Sequence, residues 1–269
     1  MSGAQKPFQS SFKSLDDQFL GEMIEQAKVV IRWASSQTDN PLVIQFSGGK
    51  DSMAMVGLTQ EVTSNFVLGF METGIEFPEA IEFVKSSADK LGVTLHTSTP
   101  ADHLGGFFER LEKFRRFPSV KAQWCNRDLK VRPQQKMLRK IYGSGALYKV
   151  VGVRRFESVR RRYLYGKNEY VRPDNQVSRD YNIYPILNWT NNDVLRYLKL
   201  KRLPTSSLYK KYKVSGCYWC PFYGLDIYRP ILKDNPDLYD EFIKWEDILG
   251  EPSVIDHVYL RDLKGGMYG

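Results

Sequence analysis

The segment Pro41-Leu42-Val43-Ile44-Gln45-Phe46-Ser47-Gly48-Gly49-Lys50-Asp51-Ser52 constrains this chain more than any other. Its first six residues are mostly apolar and read as a short strand buried on both faces. Two adjacent glycines follow, and then Met53, Met55, Val56 and Leu58 continue as a helix. A strand, a glycine turn and a helix in that order form a phosphate cradle. Glycines let backbone N–H groups approach an anion with no Cβ in the way. The helix N-terminus adds partial positive charge. Lys50 supplies a full charge, and Ser47 and Ser52 supply hydroxyl donors. Asp51 is the odd member beside a phosphate and reads as a Mg²⁺ ligand or a cap of the turn. The spacing matches neither G-x-x-x-x-G-K-[ST] nor G-x-G-x-x-G, which sets aside a Walker A loop and a dinucleotide fingerprint.

The pattern around the cradle is an alternation of strands and helices. Apolar residues from Phe19 to Ile31 recur at helical spacing and predict a helix over about 16–37. Strands are expected at Phe66–Phe70, Val93–His96, Leu147–Val153 and, late in the chain, Ile183–Ile186. Helices are expected at Pro78–Leu91, Asp102–Phe114, Leu129–Ile141, Asn191–Leu200 and Pro236–Leu249. Strands and helices alternating at this length predict an α/β fold, a doubly wound and mostly parallel sheet with helices on both faces. Residues 154–180 are rich in Arg, Tyr and Asn, show little periodicity, and read as a flap or gripping loop. The expected organisation is a loose arm over 1–15, a nucleotide-binding core over 16–153, and a substrate-side subdomain over 154–269 that carries a C-x-x-C pair.

Charge narrows the partners. Lys and Arg number 39 against 31 Asp and Glu, a net charge of +8 that favours polyanions such as nucleotides or nucleic acid. No apolar run is long enough to cross a bilayer, and the first residues lack the apolar core of a signal peptide. The expectation is a cytoplasmic protein with no membrane partner. Three cysteines, Cys125, Cys217 and Cys220, are an odd number in such a chain and argue against a disulfide framework.

Ser47–Ser52 resembles the SGGxDS signature of the PP-loop ATP pyrophosphatases, the adenine nucleotide α-hydrolase-like enzymes. Further segments resemble one branch of them, the phosphoadenylyl-sulfate (PAPS) reductase family. Glu72-Thr73-Gly74-Ile75-Glu76-Phe77-Pro78-Glu79 is similar to its D-T-G-x-x-F-P-E-T segment. Trp124-Cys125 with Leu129-Lys130-Val131 and Pro133 is similar to its C-x-x-x-x-K-x-x-P segment. Gly152-Val153-Arg154-Arg155-Phe156-Glu157-Ser158 is similar to G-x-R-x-x-E-S, and Pro185 to Val194 to P-I-x-x-W-x-x-x-D-V. The shared order covers about residues 43–222. The resemblance implies an adenine nucleotide, ATP or PAPS or adenylyl sulfate, held with Mg²⁺ by Ser47, Gly48, Gly49, Lys50, Asp51 and Ser52. Glu72, Thr73, Gly74, Gly152, Glu157 and Ser158 would complete the nucleotide site. Lys50, Asp51, Arg154 and Arg160 would carry the chemistry, the arginines gripping an anionic group.

Adenylyl-sulfate reductases of this family hold a [4Fe–4S] cluster on a Cys-Cys pair and a later C-x-x-C. Cys125, Cys217 and Cys220 match three of those four positions, and thiolates suit iron–sulfur or zinc. The alternative is Zn²⁺ completed by His96, His103 or His257, or no metal at all. The family's reductases act through a cysteine near the C-terminus, and no cysteine follows Cys220. The expected activity is therefore an ATP pyrophosphatase that adenylates a nucleic-acid acceptor, DNA or tRNA, for sulfur insertion. A sulfur-donor protein such as a cysteine desulfurase would serve it, and an oligomer is left open. The alternatives are a PAPS or adenylyl-sulfate reductase using an external thiol, adenylyl transfer of the FAD-synthetase type, and a nucleotide-binding protein without turnover.

Overall fold

A computed structural model describes residues 15–102, 105–174, 177–214, 216–254 and 258–265. Residues 1–14 of the expected N-terminal arm lie outside them. The first helix, α1 (Leu15–Ser35), leads into β1 (Leu42–Gln45), α2 (Lys50–Gln60), β2 (Phe66–Met71), α3 (Pro78–Leu91) and β3 (Leu95–Ser98). Pro78 sits in the first turn of α3, where its missing N–H has no partner to lose, and Gly92 ends the helix at φ +62. α4 (Phe107–Phe114) follows. A single turn, α5 (Trp124–Asn126), and a π-helical turn over Arg127–Val131 then run into α6 (Arg132–Tyr142) and β4 (Tyr148–Val150). The expected helix over 129–141 is thus the tail of a longer, irregular one, with Pro133 in the first turn of its regular part.

The sheet has six strands in the order β3-β2-β1-β4-β6-β5. The first five are parallel, as the alternation predicts. β5 (Val171–Asp174) is antiparallel to β6 (Val177–Ile183), is irregular between Pro173 and Asp174, and closes that edge. This corrects the reading of 154–180 as irregular: it holds α7 (Val159–Leu164), β5 and most of β6. β6 also starts well before the expected Ile183. Its sequence, Val-Ser-Arg-Asp-Tyr-Asn-Ile, carries charge into the sheet and so lacks an apolar run. Asp180 is nonetheless buried. It accepts from Arg139 and from the Leu147 N–H at 3.1 Å, and Lys149 of β4 lies 3.1 Å from it and 2.8 Å from Asp174. Buried charges persist when paired in this way.

Two large apolar clusters fill the molecule, and a small third one, Val43, Val67, Leu138 and Leu147, joins the sheet to α6. One surrounds the sheet and joins α1 and α2 to Ile183, Ile186, Trp189 and α8 (Asn191–Leu200). Thr190 and Asp193 start α8 with reciprocal capping bonds. Gly57 lets α8 approach α2, since a Cβ there would meet Leu203 at 2.5 Å and the Tyr197 hydroxyl at 2.9 Å. The other cluster joins Ile75, Phe77, Phe107, Trp124 and Leu129 to the later helices α9 (Ser207–Tyr212), α10 (Leu225–Asp234), α11 (Asp240–Leu249) and α12 (Leu260–Lys264). Phe242 is its hub, stacked on Trp219 at 5.3 Å and tilted against Phe107 at the same distance. α10 was not legible in the sequence because Pro230 lies inside it. No helix among the described residues is long and apolar enough to cross a membrane.

Candidate nucleotide site

In an open parallel sheet, ligands bind beyond the carboxyl ends of the strands where the strand order reverses. Here that point lies between β1 and β4, because β2 follows β1 on one side and β4 stands on the other. Ser47–Gly49 leaves β1 there, and Gly152–Arg154 leaves β4. Gly48 takes φ +73 and lies against α3, where a Cβ would come within 3.0 Å of Val84 and 3.2 Å of Phe83. Both the dihedral and the space require glycine. Ser52 donates to the Gly49 carbonyl at 2.9 Å and tightens the turn at the start of α2.

Three charges meet on this turn. Lys50 Nζ is 2.6 Å from Asp51 Oδ2, and Arg154 Nε donates to Asp51 Oδ1 at 2.7 Å. Lys50 and Arg154 are only 6% and 5% exposed and Asp51 between them is half-buried, so the three carry a net positive charge largely out of solvent. Burial pushes the Lys50 ammonium below the ordinary lysine value, and the Asp51 carboxylate opposes that shift. Gly152 makes the convergence possible. A Cβ there would fall 2.9 Å from the Asp51 carbonyl carbon, so any side chain would push β4's exit away from α2. Sequence reasoning missed Tyr209 of α9, whose ring centroid lies 5.6 Å from Lys50 Nζ and whose phenol lies in the electrostatic reach of Asp51 and Arg154. It stands in no motif, so only the packing of α9 reveals it.

The residues after β2 build a second polar node. Glu76 accepts from the Thr73 N–H at 2.8 Å, the Thr73 hydroxyl at 2.7 Å and the Gly74 N–H at 3.1 Å. The same segment pairs with the C-x-x-C loop: the Phe77 N–H donates to the Gly216 carbonyl and the Tyr218 N–H to the Ile75 carbonyl, both at 3.0 Å. That pairing carries Cys217 Sγ to 3.4 Å from Glu76 and 3.4 Å from Lys130 Nζ. Lys130 also lies within electrostatic reach of Cys125 and Cys220, so the fold gathers all three thiols around one ammonium. The Lys130 ammonium is held above its ordinary value, first by Cys217 and then by Glu76. Burial pushes the Cys217 thiol up to about 12 and the Cys125 thiol up to about 11, with Lys130 opposing both shifts. Glu76 and Lys130, which stand inside motifs with nothing in the sequence to mark them out, organise this node.

As arranged, these side chains do not fit a resident metal group. Cys217 is engaged by Lys130, Glu76 and Thr73 rather than turned toward the other two thiols. Among the described residues no group of three or more His, Cys, Asp or Glu is arranged to hold a metal ion. His96 is bonded to the Tyr142 hydroxyl at 2.7 Å, and His103 and His257 lie outside the described residues. Asp51, clamped by two cations, is a poor Mg²⁺ ligand in this arrangement.

The remaining candidates take other places. Arg160 is exposed and donates to the Val120 carbonyl at 3.3 Å, while Arg154 holds Asp51. Ser158 caps α7, accepting from the Arg161 N–H at 3.1 Å. Glu157 pairs with Arg161 and lies within electrostatic reach of Lys50. Glu72 sits at the end of β2, 3.9 Å from Lys85, with its carboxyl raised first by burial and further by Glu76 and Asp102.

The model of the phosphoadenosine phosphosulfate reductase domain matches residues 41–222, which include both polar nodes. The chain belongs to that family. Within it, the chain is 33% identical over 205 residues to an uncharacterized protein of Methanocaldococcus jannaschii, a match covering 76% of this chain and 46% of that one. It thus spans less than half the length of this relative. It is 25% identical over 217 residues to an adenosine 5'-phosphosulfate reductase of Bacillus subtilis, covering 77% of this chain and 82% of the enzyme. The fold is similar to that of the PAPS reductase of Candida auris in its phosphate complex, with TM-score 0.54 and 20% identity over 76% of this chain and 97% of that one.

Proposed function

We propose that this chain is an ATP pyrophosphatase that adenylates an oxygen of a nucleic-acid acceptor and so prepares it for sulfur insertion. The observation that carries the reading is the Lys50–Asp51–Arg154 triad at the glycine loop. The acceptor oxygen attacks the α-phosphorus, the bond between the α-phosphorus and the bridging oxygen breaks, and pyrophosphate leaves into the loop. Lys50, Arg154 and the backbone N–H groups of the turn stabilise the charge that grows on the leaving group, in a site poor in water. A hydrosulfide ion then attacks the activated centre, the new bond to sulfur forms and AMP departs with the acceptor's oxygen; where a partner such as a cysteine desulfurase brings the sulfur as a persulfide, an external thiol reduces the disulfide that its transfer leaves. Mg²⁺ enters as part of the ATP complex. Burial raises the thiols of Cys125, Cys217 and Cys220 above their ordinary value, the opposite of the shift that activates an attacking thiol.

A second reading is a PAPS or adenylyl-sulfate reductase served by an external thiol, and the name of the Bacillus subtilis relative favours it. The two readings separate by calorimetry on anaerobically purified protein titrated with ATP–Mg²⁺, PAPS and adenylyl sulfate. Preference for ATP with pyrophosphate release in the presence of acceptor is the expected result. Preference for a sulfated nucleotide, with sulfite released on adding a dithiol, would replace the first reading by the second.

A further inference from the structure

α7 presents a surface that the nucleotide site does not use. Val159 and Tyr163 stand one turn apart on the same side of this short helix and are 84% and 88% exposed. Phe156 and Leu164 beside them are about half exposed. Six residues are too few to hold a helix by propensity. This one is fixed by its Ser158 cap, by the Glu157–Arg161 pair and by the bond from Arg160 to Val120. The chain therefore spends local structure on displaying apolar groups to solvent. Apolar side chains grouped on a surface and ringed by charge mark an interaction site.

The ring is basic. Residues 155–172 carry six Lys and Arg against two Glu, and both glutamates are paired with arginines. The guanidiniums of Arg155 and Arg162 lie over the Phe156 ring at 4.7 and 5.9 Å from its centroid, and Arg172 lies over Tyr165 at 4.7 Å. Flat π-surfaces interleaved with guanidiniums suit a polyanion that also offers flat faces, which is a nucleic acid with unstacked bases. A duplex hides those faces, whereas folded RNA displays them in its loops. The patch also adjoins the phosphate loop: α7 starts five residues after Arg154, which holds Asp51, and Glu157 is within electrostatic reach of Lys50.

We infer that the exposed face of α7 docks an unpaired loop of RNA, with a base stacking on Tyr163 and phosphates meeting the surrounding arginines. The inference rests on the proposed nucleic-acid acceptor and names the class of that acceptor. A strand held there is tethered beside the site where ATP would be cleaved.

The test measures fluorescence anisotropy of the full chain with a labelled RNA hairpin, the same RNA annealed to its complement, and a DNA hairpin with the same loop. The RNA hairpin is expected to bind most tightly. Tyr163→Ala is expected to weaken it about tenfold, the loss of one stacked base. Val159→Asp on the same face is expected to weaken it as well, and Arg162→Ala to lower the salt slope of log K by about 0.7. Equal binding of the annealed RNA, or binding indifferent to both Tyr163→Ala and Val159→Asp, overturns the docking surface. A DNA loop bound as tightly as RNA overturns the assignment to RNA. ATP titration of the same proteins reads the other proposal separately. A wild type that binds no ATP sinks the adenylation reading, while Tyr163-dependent RNA binding stands or falls by its own curve.

Discussion

Lys50 and Gly48 show how single residues set the site. Burial depresses the Lys50 ammonium, and a bound phosphate needs the charged form. As pH rises toward the ordinary lysine value of 10.5, Lys50 loses its proton early and ATP affinity falls with it. Lys50→Arg keeps its charge throughout that range and is expected to flatten the profile, which calorimetry across pH would reveal. Lys50→Met removes a charge-assisted contact and is expected to weaken ATP binding by about 1.5–3 kcal/mol at neutral pH. Gly48→Ala meets both a positive φ and the wall formed by Val84 and Phe83. It is expected to cost about 1–2 kcal/mol of stability, read as a lower thermal midpoint, and more in nucleotide affinity because the turn shifts. Lys50, Asp51 and Arg154 were legible from the sequence because each stands in a motif whose chemistry is local. Tyr209 was not, since its role comes from where α9 happens to pack.

Among the elements, β1, α2 and the other early strands and helices announced themselves through apolar periodicity. β6 did not, because Arg179 and Asp180 interrupt the run, and a charged residue reads as exposed until its partners are known. Those partners, Arg139 on α6 and Lys149 on β4, are distant in sequence. Removing Lys149 takes a buried cation away from two buried carboxylates. Lys149→Met is expected to destabilise the fold by about 3–5 kcal/mol, a drop of about 10 °C in Tm by calorimetry for a chain of this size. A Tm within a degree or two of wild type would mean that Asp174 and Asp180 are satisfied without it. The C-x-x-C loop was legible as a motif but not as a strand partner. Its pairing with Ile75–Phe77 is a pair of backbone bonds, to which side-chain patterns are blind. That pairing, rather than cysteine spacing, is what brings Cys217 to Thr73 and Glu76.

At the scale of the whole molecule, both large apolar clusters cross the boundary between residues 153 and 154. The sheet cluster needs Ile183, Ile186, Trp189 and Tyr197, and the second cluster needs Phe77, Phe107 and Trp124. A fragment ending at Val153 loses β6 and the cover supplied by α8. It is expected to show no cooperative thermal transition by circular dichroism, while the full chain melts in one. A sharp melt of the fragment alone would mark an independent domain. The parallel sheet also has an open-ended geometry, and its far edge is closed by β5. That strand is four residues long, antiparallel, irregular after Pro173, and lacks an N–H at that proline. A second copy approaching this edge finds no regular row of donors and acceptors to extend. The hairpin that supplies buried charge to the sheet therefore also guards against edge-to-edge aggregation. Smoothing it, by replacing Pro173 with a strand-forming residue, would trade solubility at high concentration for a straighter strand.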